Sequence, residues 1–104
     1  MTSLKLIKQW RVTTTLLLSA RRAIPPPSQE VAAQVVFFEK QFDMYIEHNE
    51  LGLALDVLEE IANLVSCRGG FWRDLERAAT SMEMDQRAKY FHDQFLSTKP
   101  PSES

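Results

Sequence analysis

Apolar residues recur every three or four positions through most of the chain, which is the spacing of one face of an α-helix. The segment from residue 50 to about residue 65 shows this spacing most clearly, and its acidic residues fall on the opposite face. The positions expected to be buried in it are Leu51, Ala54, Leu55, Leu58, Ile61, Ala62 and Val65. No strand-like alternation competes with this pattern, so the sequence predicts an all-α fold, a compact bundle of four to five short helices.

The first half of the chain contains two further predicted helices. One spans about residues 4–20, and Pro25-Pro26-Pro27 ends it because proline lacks a backbone N–H donor. Ser28 is the expected N-cap of the next helix, which runs from residue 29 to about residue 48. The apolar stripe of that helix is widened by Phe37, Met44 and Ile46. A helix with so broad an apolar surface is expected to be central and contacted on two sides.

Helical spacing resumes after Gly69-Gly70, from Phe71 to Met82. A short corner is expected at Met84-Asp85, with Asp85 as its cap, and a last helix ends near Leu96. A length of 104 residues fits one domain. We expect a basic helix in residues 1–24, which could lie at the periphery, a helical core in residues 25–96 and a disordered tail in residues 97–104.

The stretch from Tyr45 to Leu58 predicts one helix that ends, a single-residue corner and a second helix that begins at once. Asn49 suits the corner because its side chain can accept hydrogen bonds from the first free N–H groups of the next helix. Glu50 follows in the first turn, where a negative charge is favourable. Gly52 is a poor helix former, and a close approach of two helices at the corner is the expected reason for it.

The net charge of −2 conceals an asymmetry along the chain. Residues 1–29 contain five basic residues and no acidic one, whereas residues 39–60 contain seven acidic residues and only Lys40. The two regions could attract each other within one fold, or the acidic region could face a basic partner. A cleaved export signal is disfavoured because the apolar centre Leu16-Leu17-Leu18 is short, and a mitochondrial presequence is the other alternative to an N-terminal helix.

Motifs that carry chemistry are missing from the sequence. His48 and His92 have no metal-ligand spacing, and Cys67 has neither a second cysteine nor the flanks of a catalytic one. Gly69-Gly70 is too short to cradle a phosphate, and the acidic middle of the chain opposes nucleic-acid binding. We therefore expect no enzyme, metal, cofactor, small-molecule substrate, nucleic acid or membrane association. A single cysteine favours a reducing compartment, and the cytoplasm is the predicted location.

The pair Phe71-Trp72 follows directly after the two glycines. Such aromatic residues usually anchor the start of a helix in the core. If Trp72 is exposed instead, it becomes a candidate anchor for a binding partner, because aromatic residues dominate the energy of protein interfaces.

The stretch from Tyr45 to Leu58, with its Asn49-Glu50 pair, Gly52 and the run Leu53-Ala54-Leu55, resembles small bacterial immunity proteins of the MafI-like type. The resemblance implies an all-helical protein that neutralises a secreted toxin, often a nuclease, by stoichiometric occlusion. By position it makes Asn49 and Glu50 corner-forming residues rather than contacts with a toxin. A basic nuclease would be attracted by an acidic surface.

The candidate contacts with such a partner are the outward-facing acids of the two helices joined at Asn49. They are Asp43, Glu47, Asp56, Glu59 and Glu60, with Trp72 added if it is exposed. The hypothesis requires these carboxylates to face solvent rather than to be held by arginines of the same chain. Solubility alone is the other interpretation of the same acids. The alternative function is that of a helical scaffold or regulatory subunit, which forms a homodimer through the Phe37/Met44 side or through Phe71-Trp72.

Overall fold

The helical spacing of the sequence corresponds to five α-helices in the computed structural model, which describes residues 4–98. The helices are α1 (Leu4–Arg22), α2 (Ala32–Glu47), α3 (Leu51–Ala62), α4 (Gly69–Ser81) and α5 (Asp85–Ser97). No strand occurs within residues 4–98, so the prediction of an all-α bundle of short helices is confirmed.

The helices pack in the spatial order α5, α4, α1, α3 and α2. The molecule measures 48 × 36 × 19 Å, so its short dimension is about two helix diameters. One continuous apolar core runs through it. The largest side chains that are completely buried are Phe42, Phe71, Phe91, Leu17, Leu55, Leu58, Ile61, Leu75 and Val35.

Helix α1 is part of this core rather than a peripheral element. Leu17 and Ala20 have no exposed surface, and the buried hydroxyl of Thr13 donates to the carbonyl of Gln9 at 2.8 Å. The same hydroxyl meets the hydroxyl of Ser81 at the end of α4, and the Gln9 amide donates to the Ser81 carbonyl. The basic residues of this segment left a peripheral position open, but its apolar residues pack on α4 and α3.

Helix α2 differs from its prediction in start and in position. It begins at Ala32, and Ser28 is not its cap, because residues 29–31 form a turn in which the Val31 N–H donates to the Ser28 carbonyl at 3.2 Å. The helix packs mainly on α3 rather than between two neighbours. Phe37 and Met44, which were expected to widen a buried surface, are 57% and 46% exposed.

Two helix ends also differ from the sequence-based boundaries. Helix α3 stops at Ala62, and residues 63–68 connect it to α4. Helix α5 includes Ser97, and the Thr98 hydroxyl closes its last turn by donating to the Phe95 carbonyl at 2.7 Å. The rest of the predicted tail, residues 99–104, and residues 1–3 lie outside the described part of the chain.

Candidate protein-binding surface

The corner between α2 and α3 is closed by backbone hydrogen bonds. Asn49 has a φ of 57°, and no side chain caps the start of α3, so Asn49 is not the side-chain cap that was predicted. The Glu50 N–H donates to the Tyr45 carbonyl at 2.8 Å, and the Asn49 N–H donates to the Ile46 carbonyl at 3.1 Å. This pair of bonds is a Schellman motif, in which asparagine is favoured because it tolerates positive φ. Glu50 is the residue before the helix, and α3 begins at Leu51.

The turn between α4 and α5 repeats this geometry. Glu83 has a φ of 60°, the Met84 N–H donates to the Ala79 carbonyl at 2.9 Å, and the Glu83 N–H donates to the Thr80 carbonyl at 3.0 Å. Met84 then occupies the position of Glu50, and Asp85 is the first helical residue rather than the cap. The chain therefore contains two pairs of helices joined by the same kind of corner.

Gly52 touches the second corner, but it does not permit a close approach of backbones. A Cβ atom added at Gly52 would meet only the Met84 methyl group, at 3.6 Å, which is an ordinary van der Waals distance. The expected reason for this glycine is therefore wrong. The space around this position would accommodate a residue with a Cβ atom.

The acids of α2 meet an arginine from α1. Arg21 donates from Nε to one carboxylate oxygen of Asp43 at 3.0 Å and from Nη2 to the other at 3.3 Å, and its Nη1 reaches Glu39 at 3.2 Å. The hydrogen bond to Asp43 raises the pKa of Arg21. The Asp43 side chain remains 59% exposed, so this ion pair lies at the surface.

The acids of α3 meet an arginine from α5 in the same way. Arg87 donates to Asp56 at 2.6 Å and to Glu59 at 2.7 Å, and its guanidinium lies 5.5 Å from the centre of the Phe91 ring. The arginine therefore joins α5 to the outer side of α3. Asp56 is 55% exposed and Glu59 is 32% exposed despite the contact.

Two of the five candidate acids, Glu47 and Glu60, are exposed and form no ion pair within residues 4–98. The requirement for free, solvent-facing carboxylates is met by these two, whereas Asp43, Asp56 and Glu59 are held by arginines. With Arg21 and Arg87 counted, residues 39–60 still place seven carboxylates against three cations. The surface is acidic, but it is partly neutralised from within the chain.

Trp72 offers no surface to a partner. It is 8% exposed, its ring stands edge-on to Phe71 with centroids 5.3 Å apart, and it stacks at 6.2 Å on Phe91. The exposure that an interface anchor requires is absent. Trp72 instead packs the start of α4 against α5, which is the alternative that the sequence left open.

The thiol of Cys67 lies buried in the connection between α3 and α4. Burial raises the pKa of the Cys67 thiol to about 11, so the thiol is a weak nucleophile at neutral pH. Within residues 4–98, no three His, Cys, Asp or Glu side chains cluster around a possible metal position. No helix in that range is long and apolar enough to cross a bilayer.

A shallow groove of about 540 Å³ lies between the first half of α1 and the corner at Asn49. Its lining residues are Ile7, Trp10, Arg11, Thr14, Thr15 and Asn49. Arg11 is the one titratable side chain in this lining, so the groove supplies no pair of groups for general acid–base chemistry.

The site prediction missed Arg21 and Arg87, which pair with acids of the candidate surface. Each contacts acids that lie 18 to 31 positions away in the sequence, and no local spacing marks such a pair. The charge asymmetry between the basic first segment and the acidic middle was the available signal for Arg21. Arg87 lies in a segment of mixed charge, so the sequence offered no signal for its pairing.

In comparisons with known proteins, the chain matches no protein-family model, no curated protein and no solved structure.

Proposed function

We propose that this protein is a non-enzymatic, stoichiometric binder of a basic protein, and that it acts as an immunity protein against a secreted toxin, in the first place a nuclease. The partner is expected to bind the acidic outer side of α2 and α3. Residues 39–60 contain seven carboxylates, and only Lys40 of this range and the two arginines Arg21 and Arg87 from outside it oppose them; this excess is the observation that carries the proposal.

The three acids held by arginines do not meet the condition of free carboxylates, so direct contact rests first on Glu47 and Glu60, and Asp43, Asp56 and Glu59 have a secondary part. Each carboxylate has about four lone-pair positions, and one arginine occupies only some of them. Asp43 and Asp56 stay more than half exposed, so a cation of the partner can reach them. A surface ion pair contributes only about 0–1 kcal/mol, so exchanging the arginine for a group of the partner costs little.

The free acids Glu47 and Glu60 are the strongest candidates for direct contact. Both are exposed and carry a charge that no cation of residues 4–98 neutralises. Opposite charges across an interface accelerate the encounter and select the partner. Asp43, Asp56 and Glu59 are ordered by the arginines, which reduces the side-chain entropy lost on binding.

The experiment compares the wild-type chain with Glu47→Lys/Glu60→Lys as bait in a lysate of the organism of origin. Glu30→Lys/Asp93→Lys is the control, because it changes two exposed acids outside α2 and α3 by the same charge. A captured basic protein is then purified and its cleavage of plasmid DNA is titrated with the chain. We expect inhibition that is complete at one chain per toxin, and its loss in the double variant alone.

Neutralisation is ruled out if a basic protein is captured but its toxic activity persists at a molar excess of the chain. Equal inhibition by wild type and by Glu47→Lys/Glu60→Lys removes these two acids from the interface. An affinity that does not fall with added salt would contradict the electrostatic basis of the contact.

A further inference from the structure

The outer face of α2 exposes several apolar residues. The buried residues Val35 and Phe42 and the exposed residues Phe37 and Met44 lie about 160° apart around the helix, because each residue turns it by about 100°. Phe37 therefore points away from the core and not merely along its edge. Ala33, Val36 and Lys40 lie on the same outer face and are exposed too.

A helix that is apolar on two opposite sides is normally covered on both. Within the chain, α2 is covered mainly by α3 on one side. The outer apolar residues form a stripe from Ala33 to Met44, a length of about 18 Å along the helix. Such a stripe is characteristic of a helix that packs against another helix from outside the chain.

The charges on the stripe are self-complementary. Lys40 is the one cation of residues 39–60, and Glu47, on the same outer face, forms no ion pair within residues 4–98. In one helix these two residues are seven positions apart, about 10.5 Å along the axis, which is too far for a direct pair. Two antiparallel copies of α2 that cross near residue 42 bring Lys40 within about one turn of Glu47 of the second copy.

We propose that two copies of this chain pair through the outer face of α2, with the helices antiparallel. In this arrangement Phe37 packs beside Met44 of the second copy, and each Lys40 faces Glu47 of the other copy. The contact is isologous, so every favourable pair occurs twice. One helix from each copy gives an interface at the small end of the known range, so the dimer is reversible.

Glu47 takes part in both proposals, so a second copy and the toxin would compete for the outer side of α2. Self-association is measured on the full chain alone, and its failure therefore leaves the toxin proposal to its own test. Sedimentation equilibrium from about 5 to 500 µM covers the range in which so small an interface associates. We expect the average mass of the wild type to rise from that of a monomer toward twice that value. A chain that stays monomeric throughout overturns the proposal.

Substitution of Phe37 by Glu tests the location of the contact. Phe37→Glu is expected to abolish the rise in mass, while its circular dichroism stays that of the wild type because the side chain is exposed. Val12→Glu is the matched control, since Val12 is a 53% exposed apolar residue on α1. Association that survives Phe37→Glu, or that Val12→Glu disrupts equally, overturns the assignment to α2.

A charge swap tests the orientation of the two helices. Lys40→Glu and Glu47→Lys each place like charges across the interface, so each variant alone is expected to lose association. An equimolar mixture of the two restores opposite charges at both pairs, and so does the double variant Lys40→Glu/Glu47→Lys. Failure of the mixture and of the double variant to associate overturns the antiparallel pairing.

Discussion

The two helix pairs of this protein share a corner but not a packing environment. Asn49 and Glu83 both have a positive φ, and both corners are closed by the same two backbone hydrogen bonds. Around them, the pair α4–α5 buries Phe71, Trp72 and Phe91, and α4 is also covered by α1. The pair α2–α3 leaves the outer side of α2 in solvent, with Phe37 more than half exposed.

This difference shows that the corner and the packing have separate physical origins. The corner needs one residue with positive φ and six or so residues of helix before it, which very different sequences supply. The packing depends on which neighbours cover each helix. In α4–α5, Phe71, Trp72 and Phe91 are covered by residues of the same chain, although Tyr90 and Leu96 of α5 are exposed. Helix α2 exposes Phe37, a larger apolar surface that a second molecule can cover.

The largest expected contrast is between buried and exposed phenylalanines of the two pairs. Phe91→Ala is expected to lower the free energy of unfolding by about 3–5 kcal/mol, because it removes a completely buried ring and leaves a cavity. Phe37→Ala is expected to change it by less than about 0.5 kcal/mol. Urea unfolding of dilute protein measures both, and similar losses in the two variants would contradict the assigned burial.

Cys67 lies in the connection between the two helix pairs. Burial raises the pKa of its thiol from 9.0 to about 11. Alkylation by iodoacetamide near pH 8 is expected to be about 100-fold slower than in the urea-unfolded chain, since only the thiolate reacts. The Cys67 thiol ionises at a lower pH in the unfolded chain than in the folded protein. Its contribution to the free energy of unfolding is therefore fully present below about pH 9 and is lost as the pH rises toward 11. Equal alkylation rates in folded and unfolded protein would refute a buried thiol.

The corners themselves are compared by introducing glycine at each. A residue other than glycine costs about 1–2 kcal/mol in a left-handed conformation, and asparagine tolerates it best. Glu83→Gly is therefore expected to raise the free energy of unfolding by about 0.5–1 kcal/mol, after the larger entropy of glycine in the unfolded chain is counted.

Asn49→Gly is the matched change in the first corner, and we expect it to alter stability by less than about 0.5 kcal/mol. Thermal unfolding of both variants gives the comparison. A destabilised Glu83→Gly protein would show that the Glu83 side chain contributes more than its backbone strain removes.

The last comparison concerns the arginine that ties the second pair to the first. Arg87→Gln removes the contacts to Asp56 and Glu59, and it is expected to lower stability by about 0.5–1 kcal/mol at low salt. At about 1 M NaCl the difference between wild type and variant should shrink, because salt screens surface charges. A difference that is independent of salt would attribute the loss to packing of Arg87 on Phe91 instead.

Local patterns in the sequence were sufficient for the helices, because each helix is stabilised by its own periodic apolar face. The segments around Leu55 and Leu75 were identified in this way. Helix ends were less predictable: Ser28 has the chemistry of a cap, yet α2 starts after a turn that involves Val31. Asn49 was correctly placed at a corner, but for its side chain rather than for its positive φ.

The candidate surface was predictable only in part, for a similar reason. Sequence spacing places Glu47 and Glu60 on outward faces, and both are exposed. It could not reveal that Arg87 approaches Asp56, because that contact depends on how α5 is placed by the second corner. Nor could it decide that Trp72 is covered by Phe91, since the two rings come from different helices.

The sequence by itself determined the all-α class, the apolar faces of the helices and the acidic character of the middle of the chain. These are properties of residues within a few positions of one another. The tertiary structure alone decided that α1 enters the core, that α2 is covered on one side, and that two arginines neutralise part of the acidic surface. Those outcomes depend on which helices become neighbours in space, a relation between residues distant in sequence that no local period encodes.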